Sequence, residues 1–509
     1  MPSAHPWSTS MGPVLSRRRF LVGAGGLSAA AVLAGCSSSP AAPAAVRIGP
    51  DSPQVAAVEK TRQAAGQRTV DVAVDAVTGP VDIGGTTVQT WSYGGQVPGK
   101  EIRLRRGDLL RAQVTNQLPD PTTVHWHGVA LRNDMDGVPA LTQAPIAPGA
   151  GMRYEFTVPA AGTYWFHPHV GPQLDRGLQA PLIVEDPADG ADYDQELVVV
   201  FDDWLDGTGR TPKQVLADLQ SHGMGGMGGG GMGGMAMARS ALLGGDAGDV
   251  TYPHYLANGR TPTAPRSFAA QPGQRIRLRM INAGGDTAFR VGVPGTPMTI
   301  THTDGYPVTP TRADAVLMGM GERVDAVITM PPTAVPLLGL AEGKGGLAQL
   351  LLQPGSGPIP DPTAAATALM GRPAMLVNAI PATAAVTLPS RNPDVVHEMT
   401  LAGPGAGYVW TINGQPYDPN RGVPVHEGQR VRLRYSNTTT MFHPMHLHGH
   451  TFQIHGPGGV GPRKDTTIVL PGQTVEVDFD ATNPGQWLTH CHNIYHGEAG
   501  MMTVVSYIQ

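Results

Sequence analysis

"GQRVRLRYSN", residues 428–437, alternates apolar and polar side chains between an opening glycine and a closing asparagine. Such alternation marks a strand with one buried face. The same G-x8-N pattern recurs as "GDLLRAQVTN" (107–116) and "GQRIRLRMIN" (273–282). Each copy follows a related, turn-rich start: "YGGQVPG" at 93–99, "ANGRTP" at 257–262 and "INGQPY" at 412–417. Three copies about 155–165 residues apart predict three domains of common ancestry. Their strand-and-turn texture fits small β-sandwiches. The composition agrees, because 67 glycines and 48 prolines beside 41% hydrophobic residues describe a turn-rich all-β chain rather than a disordered one.

The formal net charge is −5, and no basic block lies outside the N-terminus, which excludes nucleic acid as a partner. "SRRRF" (16–20) precedes the apolar run "LVGAGGLSAAAVLAG" (21–35) and then Cys36. The run is too short and too glycine-rich to span a bilayer, so residues 1–36 read as an export signal. The paired arginines resemble a twin-arginine signal. "LAGC" (33–36) resembles a bacterial lipobox, which would lipidate Cys36 and hold the protein on the outer face of the cytoplasmic membrane or in the periplasm. A plain cleaved signal with an incidental cysteine is the alternative. Residues 37–66, rich in Ala, Ser and Pro, read as a flexible tether. The domains then span 67–187, 188–356 and 357–509. If Cys36 carries lipid, Cys491, the other of two cysteines, has no disulfide partner.

Histidines extend the repeat. His125 follows Asn116 by nine residues, and His446 follows Asn437 by nine. "PGAGMRYEFTVPAAGTYWFHPH" (148–169) aligns with "PGQTVEVDFDATNPGQWLTHCH" (471–492), whereas the middle copy has Val291 and Val293 in place of the first histidine pair. Residues i and i+2 of a strand share a face at roughly 6.5–7 Å. Four H-x-H pairs in two matched couples therefore predict a metal site. Imidazole alone does not name the metal, but a blue-copper site needs two histidines, a thiolate and a weak methionine. His443, Cys491, His496 and Met501 supply that set. On an extended segment Cys491 points one way while His490 and His492 point the other, so the thiolate can serve one metal and its neighbours another.

"HWHG" (125–128), "HPH" (167–169), "HPMHLHGH" (443–450) and "HCHNIYHGEAGMM" (490–502) resemble the four copper motifs of the multicopper oxidases. Within that family the likeness is to the bacterial copper-tolerance type, in its mycobacterial lipoprotein form, with "RNDMDG" (132–137) and "THTDGYPV" (301–308) contributing. The resemblance implies three consecutive cupredoxin-like Greek-key β-sandwiches and four copper ions. By position, type 1 copper would take His443, Cys491, His496 and Met501, and type 2 copper His125 and His446. One type 3 copper would take His127, His167 and His492; the other, His169, His448 and His490. Cys491, His490 and His492 would carry electrons to the cluster where dioxygen is reduced. Asp136 stands where the family often has an acid near type 2 copper, with a turn aspartate as the alternative. The family's second acid would fall on Gly497, and Glu498 comes one residue later.

The reductant is less defined. Met224, Met227, Met232, Met235 and Met237 lie in a glycine-rich run at 222–239. Thioethers select Cu(I), so the run could gather cuprous substrate; an incidental low-complexity loop is the alternative. Three readings follow: an oxidase of Cu(I), or also Fe(II), serving copper tolerance; a laccase-like oxidase of phenols or aromatic amines; and a copper-storage lipoprotein. The expected partners are dioxygen and Cu(I) or another small reductant. A lipid anchor would be the only tie to a membrane, and the expected state is a monomer.

Overall fold

The computed structural model describes residues 46–186, 192–222, 238–355, 358–456 and 459–509. The G-x8-N pattern becomes one strand used three times: Leu109–Asn116, Arg275–Asn282 and Arg430–Asn437. Each pairs in parallel with the strand that opens its domain, Thr69–Asp82, Gln195–Trp204 or Val395–Ala402. On its other side each pairs antiparallel with Gly151–Thr157, Arg323–Thr329 or Thr474–Asp480.

The end residues explain why the pattern is kept. Gly107, Gly273 and Gly428 turn the chain at φ of 86°, 86° and 85°, where a side chain would strain the backbone. Asn116, Asn282 and Asn437 are buried, and the amide of each donates to one carbonyl of the following loop and to a second one 30–36 residues on, at Ile146, Met318 and Val469. Each asparagine oxygen also accepts from the amide two residues on, at Leu118, Gly284 and Thr439. In the first and third domains the loop fixed in this way leads to the histidines.

Each of these sheets shares a core with a second one. In the first domain that second sheet is Ile102–Arg105, Ala180–Glu185 and Gly162–Phe166; the middle domain has six strands there and the third has five. Val291 and Val293 are fully buried in the middle domain's core, filling with hydrocarbon the place its relatives give to imidazole.

Two expected boundaries are corrected. The described part of the 37–66 segment is not a tether. Ile48 N donates to Tyr507 O at 2.8 Å, extending the C-terminal strand, and Pro53–Arg62 is a helix that buries Val55 and Glu59. The Glu59 carboxylate accepts from Thr157 N at 2.8 Å. The middle domain also runs past 356, because Ala374–Leu376 pairs in parallel with Ala315–Met318 of its sheet. The helix Pro362–Met370 makes that return, burying Leu369 against Leu338 and Leu340. Among the described residues no helix is long and apolar enough to cross a membrane.

Candidate metal centre

In the third domain His443–Leu447 and Gln486–Cys491 are neighbouring strands, with Met445 opposite Cys491 and His446 opposite His490. Side chains alternate along a strand, so His443 and Cys491 share one face while His446 and His490 share the other. His496 joins the first group from the helix Ile494–Glu498, whose start is capped by Asn493 accepting from the amides of Tyr495 and His496. Cys491 Sγ lies 3.5 Å from His443 Nδ1 and 3.7 Å from His496 Nδ1, and the two nitrogens are 3.1 Å apart.

The outer nitrogens of this pair are occupied. His496 Nε2 donates to Asp249 Oδ2 at 2.9 Å. The Thr439 hydroxyl donates to Asn437 Oδ1 at 2.8 Å, and so it accepts from His443 Nε2, also at 2.8 Å. Both Nδ1 atoms then present bare lone pairs to one point, an arrangement that favours a cation between them. Burial pushes the Cys491 thiol up, so its proton stays until a metal displaces it. Met502 lies opposite His490, and Met501 O accepts from Cys491 N at 3.0 Å. This register puts Met501 on the thiol's side of the strand and Met502 on the other. The donor set fits copper.

The other eight histidines expected as ligands form one cage, buried except for the partly buried His169. His125, His167, His446 and His490 each donate from Nδ1 to a main-chain carbonyl at 2.9 Å, of Asp136, Pro168, Asp465 and Cys491 respectively. His448 Nδ1 donates to Asp136 Oδ2 at 2.9 Å, and His127 Nε2 to Asp465 Oδ1 at 3.2 Å. Each of these bonds commits the opposite ring nitrogen to the interior. His448 Nε2 and His490 Nε2 stand 3.0 Å apart; His127 Nδ1 and His167 Nε2, 3.5 Å. Nε2 of His125 and of His446, and both nitrogens of His492, are buried without a hydrogen-bond partner. Inward lone pairs and orphaned nitrogens together fit metal ions held between the first and third domains. Of the expected triplets, His169, His448 and His490 bring their ligand nitrogens within 4.8 Å of one another. The nitrogens of His127 and His167 converge with that of His125 instead, the His492 ring lying 4.9 Å and 5.3 Å from the two by ring centre. His125 and His446 are 5.8 Å apart by ring centre.

Burial first, then neighbouring imidazoles, hold His127, His167, His169, His448, His490 and His492 well below the usual histidine range. These ligands are therefore neutral in the copper-free chain. Below a pH of about 6.5 the unfolded chain binds more protons than the folded one, and each such site then costs about 1.4 kcal/mol of stability per pH unit. Copper-free protein is expected to be at full stability above that pH and to lose stability steeply as pH falls through it. Thermal melts at a pH of about 5.5 and about 7.5 check this; equal midpoints would contradict it.

Two carboxylates buttress the cage in a crossed arrangement. Asp136, of the first domain, touches its own His125 through Oδ1 at 3.1 Å and His448 of the third. Asp465, of the third, touches its own His446 at 3.4 Å and His127 of the first. Burial opposes the charge on Asp465, but the Arg323 guanidinium outweighs it and holds the carboxyl well below its usual range. Glu498 lines a cavity of about 10 Å³ with His167, His169, His490 and Met502, room for about one water. Burial pushes Glu498 up to about 7.

Sequence reasoning missed Asp249, Asp465 and Arg323. Their contacts to the site cross 247, 338 and 142 residues of chain, and no local spacing announces them. Of the remaining histidines, His450 bonds Tyr507 and His455 bonds Asp478, in keeping with a structural role. Cys36, Met224, Met227, Met232, Met235 and Met237 lie outside the described residues. The segments flanking that methionine run are described. The helix Pro212–His222 packs on Ala406–Tyr408, and the chain from Ala238 bridges through Asp246 to Met441 before reaching Asp249. Tyr408 OH donates to Asp249 Oδ2, so both flanks meet beside His496.

A thiol and two imidazoles gathered on one side of the Gln486–Cys491 strand, with an eight-histidine cage between domains on its other side, define a copper oxidase with a mononuclear and a multinuclear centre. Comparison with known proteins agrees. Multicopper oxidase family models match residues 76–189, 196–335 and 390–508. The multicopper oxidase MmcO of Mycobacterium tuberculosis is 47% identical, covering 97% of each chain. Copper resistance protein A of Escherichia coli is 26% identical, over 84% of this chain and 90% of that one. A multi-copper oxidase structure from Pseudomonas thermotolerans aligns with a TM-score of 0.64 and 26% identity, covering 87% of this chain and all of its own. The Botrytis aclada laccase shares the fold, with a TM-score of 0.72 at 24% identity over 89% and 90% of the two chains. The chain belongs to the multicopper oxidase family, oxidoreductases that use dioxygen as acceptor.

Proposed function

We propose that this chain is a cuprous oxidase serving copper tolerance: four cuprous ions, one dioxygen and four protons give four cupric ions and two waters. Four resident coppers take the ligand sets given above. Bound copper supplies one-electron transfer at the Cys491 site and a place where four electrons can meet dioxygen. The chain supplies the rest. Cys491 links covalently to His490 and His492, a through-bond path of a few atoms between the centres. Asp136 and Asp465 fix imidazole tautomers, and Glu498 holds a proton beside the cage.

The observation that carries the substrate assignment is at His496. Both type 1 histidines are fully buried, and their outer nitrogens are occupied by Asp249 and Thr439. A phenol therefore has no bare imidazole edge to rest on among the described residues. Electrons enter next to Asp249, whose Oδ1 is buried without a hydrogen-bond partner and could take a cation that reaches it, while selection of Cu(I) would fall to the soft thioethers of the methionine run. The meeting of both flanks of the methionine run at this point supports the same reading, as does the copper-resistance name of a relative. Fe(II) is a second cation that the carboxylate could receive. Export by the twin-arginine route, lipid on Cys36 and action as a monomer complete the proposal.

Steady-state kinetics with Cu(I) and with a phenol test it. Asp249→Asn is expected to lower kcat/KM for Cu(I) by about 10–100-fold and that for the phenol by less. Deleting residues 223–237 should also lower Cu(I) turnover; unchanged turnover would remove the methionines from the substrate path. A wild-type preference for the phenol would favour the laccase-like reading.

A further inference from the structure

The middle domain gives no histidine to either centre, yet one of its side chains reaches the cage. Arg323 and Asp465 are both completely buried. The guanidinium grips the carboxylate at two points, Nη1 to Oδ1 at 2.6 Å and Nη2 to Oδ2 at 2.5 Å. Two further donors are fixed too, with Nε on Thr163 O of the first domain at 3.0 Å and Nη1 on Gly321 O at 3.1 Å. Asp465 is held from its other side, where Asp465 N and Thr466 N donate to Asp304 and Thr466 Oγ1 donates to Asp465 Oδ1 at 2.9 Å. The carboxylate has one available orientation, and in it Oδ1 receives His127 Nε2 while the main-chain oxygen receives His446 Nδ1.

Packing closes the arrangement. A Cβ on Gly128, the glycine of "HWHG", would overlap Arg323 Nη2 and stand 2.7 Å from Asp465 Oδ2. A Cβ on Gly321 would stand 2.9 Å from His492 and 3.0 Å from His127. These two glycines let the ion pair lie directly against the ligand rings.

We propose that Arg323 is a positioning residue for the trinuclear cluster: by fixing Asp465 it directs His127 Nδ1 and His446 Nε2 toward the metals. This rests on the copper reading given above and adds a role for the domain that lacks ligands. Without the guanidinium's two-point grip the Asp465 carboxylate is free to turn, and His127 Nε2 loses the acceptor that fixes its ring and aims Nδ1 at the metal. His443, Cys491 and His496 are untouched by this change, since their partners are Thr439 and Asp249.

The test is copper-loaded Arg323→Met, read by copper count, the blue thiolate band, the type 2 EPR signal and the near-ultraviolet type 3 absorption. The expected result is an intact blue band with cluster copper bound about 10–100-fold more weakly and both cluster signals diminished. Full retention of all signals would overturn the proposal, as would loss of the blue band in equal proportion. If Arg323→Met does not fold, Arg323→Lys decides, because it keeps the charge and loses the two-point grip. A shifted type 2 hyperfine pattern with the blue band intact supports the role, and an unchanged pattern overturns it. Wild-type protein without cluster signals would instead break the copper reading itself.

Discussion

Cys491→Ser is expected to abolish the blue absorption and to lower turnover by about 10³-fold or more, over 4 kcal/mol in barrier terms. The serine hydroxyl does not ionise near neutrality and is a harder donor than a thiolate, so it cannot complete the set formed with His443 and His496. It also interrupts the path to His490 and His492 at its first atom. The cage should survive, because its histidines are fixed by Asp136, Asp465 and main-chain carbonyls rather than by the sulfur. Copper analysis should therefore show the loss of about one ion, with the type 2 EPR signal kept. Loss of all copper would show that the two centres assemble as one unit.

Glu498→Gln is expected to lower steady-state oxidase turnover by about 10²–10⁴-fold while leaving anaerobic bleaching of the blue band unchanged. Its side chain shares a small cavity with His167, His169 and His490, and it is the acid there that burial leaves protonated for part of the time near neutrality. Glutamine keeps the shape and removes the proton. Reduction at the Cys491 site does not need that proton, whereas forming water does. Equal losses in both measurements would make Glu498 a packing residue; no loss in either would remove it from the proton path.

The sequence made the ligands legible because each lies at a fixed short distance from a repeated landmark. The G-x8-N strand locates His125 and His446, the paired glycines locate the second histidine pairs, and Cys491 stands out where the first-domain copy has Pro168. The strand alternation that separates Cys491 from His490 was also readable, and the register of Met445 and His446 bears it out. What supports the ligands was not readable. Asp249 reaches His496 from another domain, and Arg323 reaches Asp465 from a domain that gives no histidine to either centre, so chain topology brings them together rather than spacing. The same cause misplaced the boundaries. The helix Pro53–Arg62 and the strand Ala374–Leu376 sit in Ala- and Pro-rich stretches that resemble linkers, and only their partners, Thr157 and Ala315–Met318, make them part of the fold.

In the proposed cycle cuprous ion is oxidised at the expense of dioxygen. Oxygen uptake by the copper-loaded protein, with Cu(I) as sole reductant and a peroxide assay on the product, tests it most directly. The account predicts catalytic uptake at four cuprous ions per dioxygen, with water and no peroxide formed. A fully loaded protein that takes up no oxygen would be a copper store, and the account would be wrong.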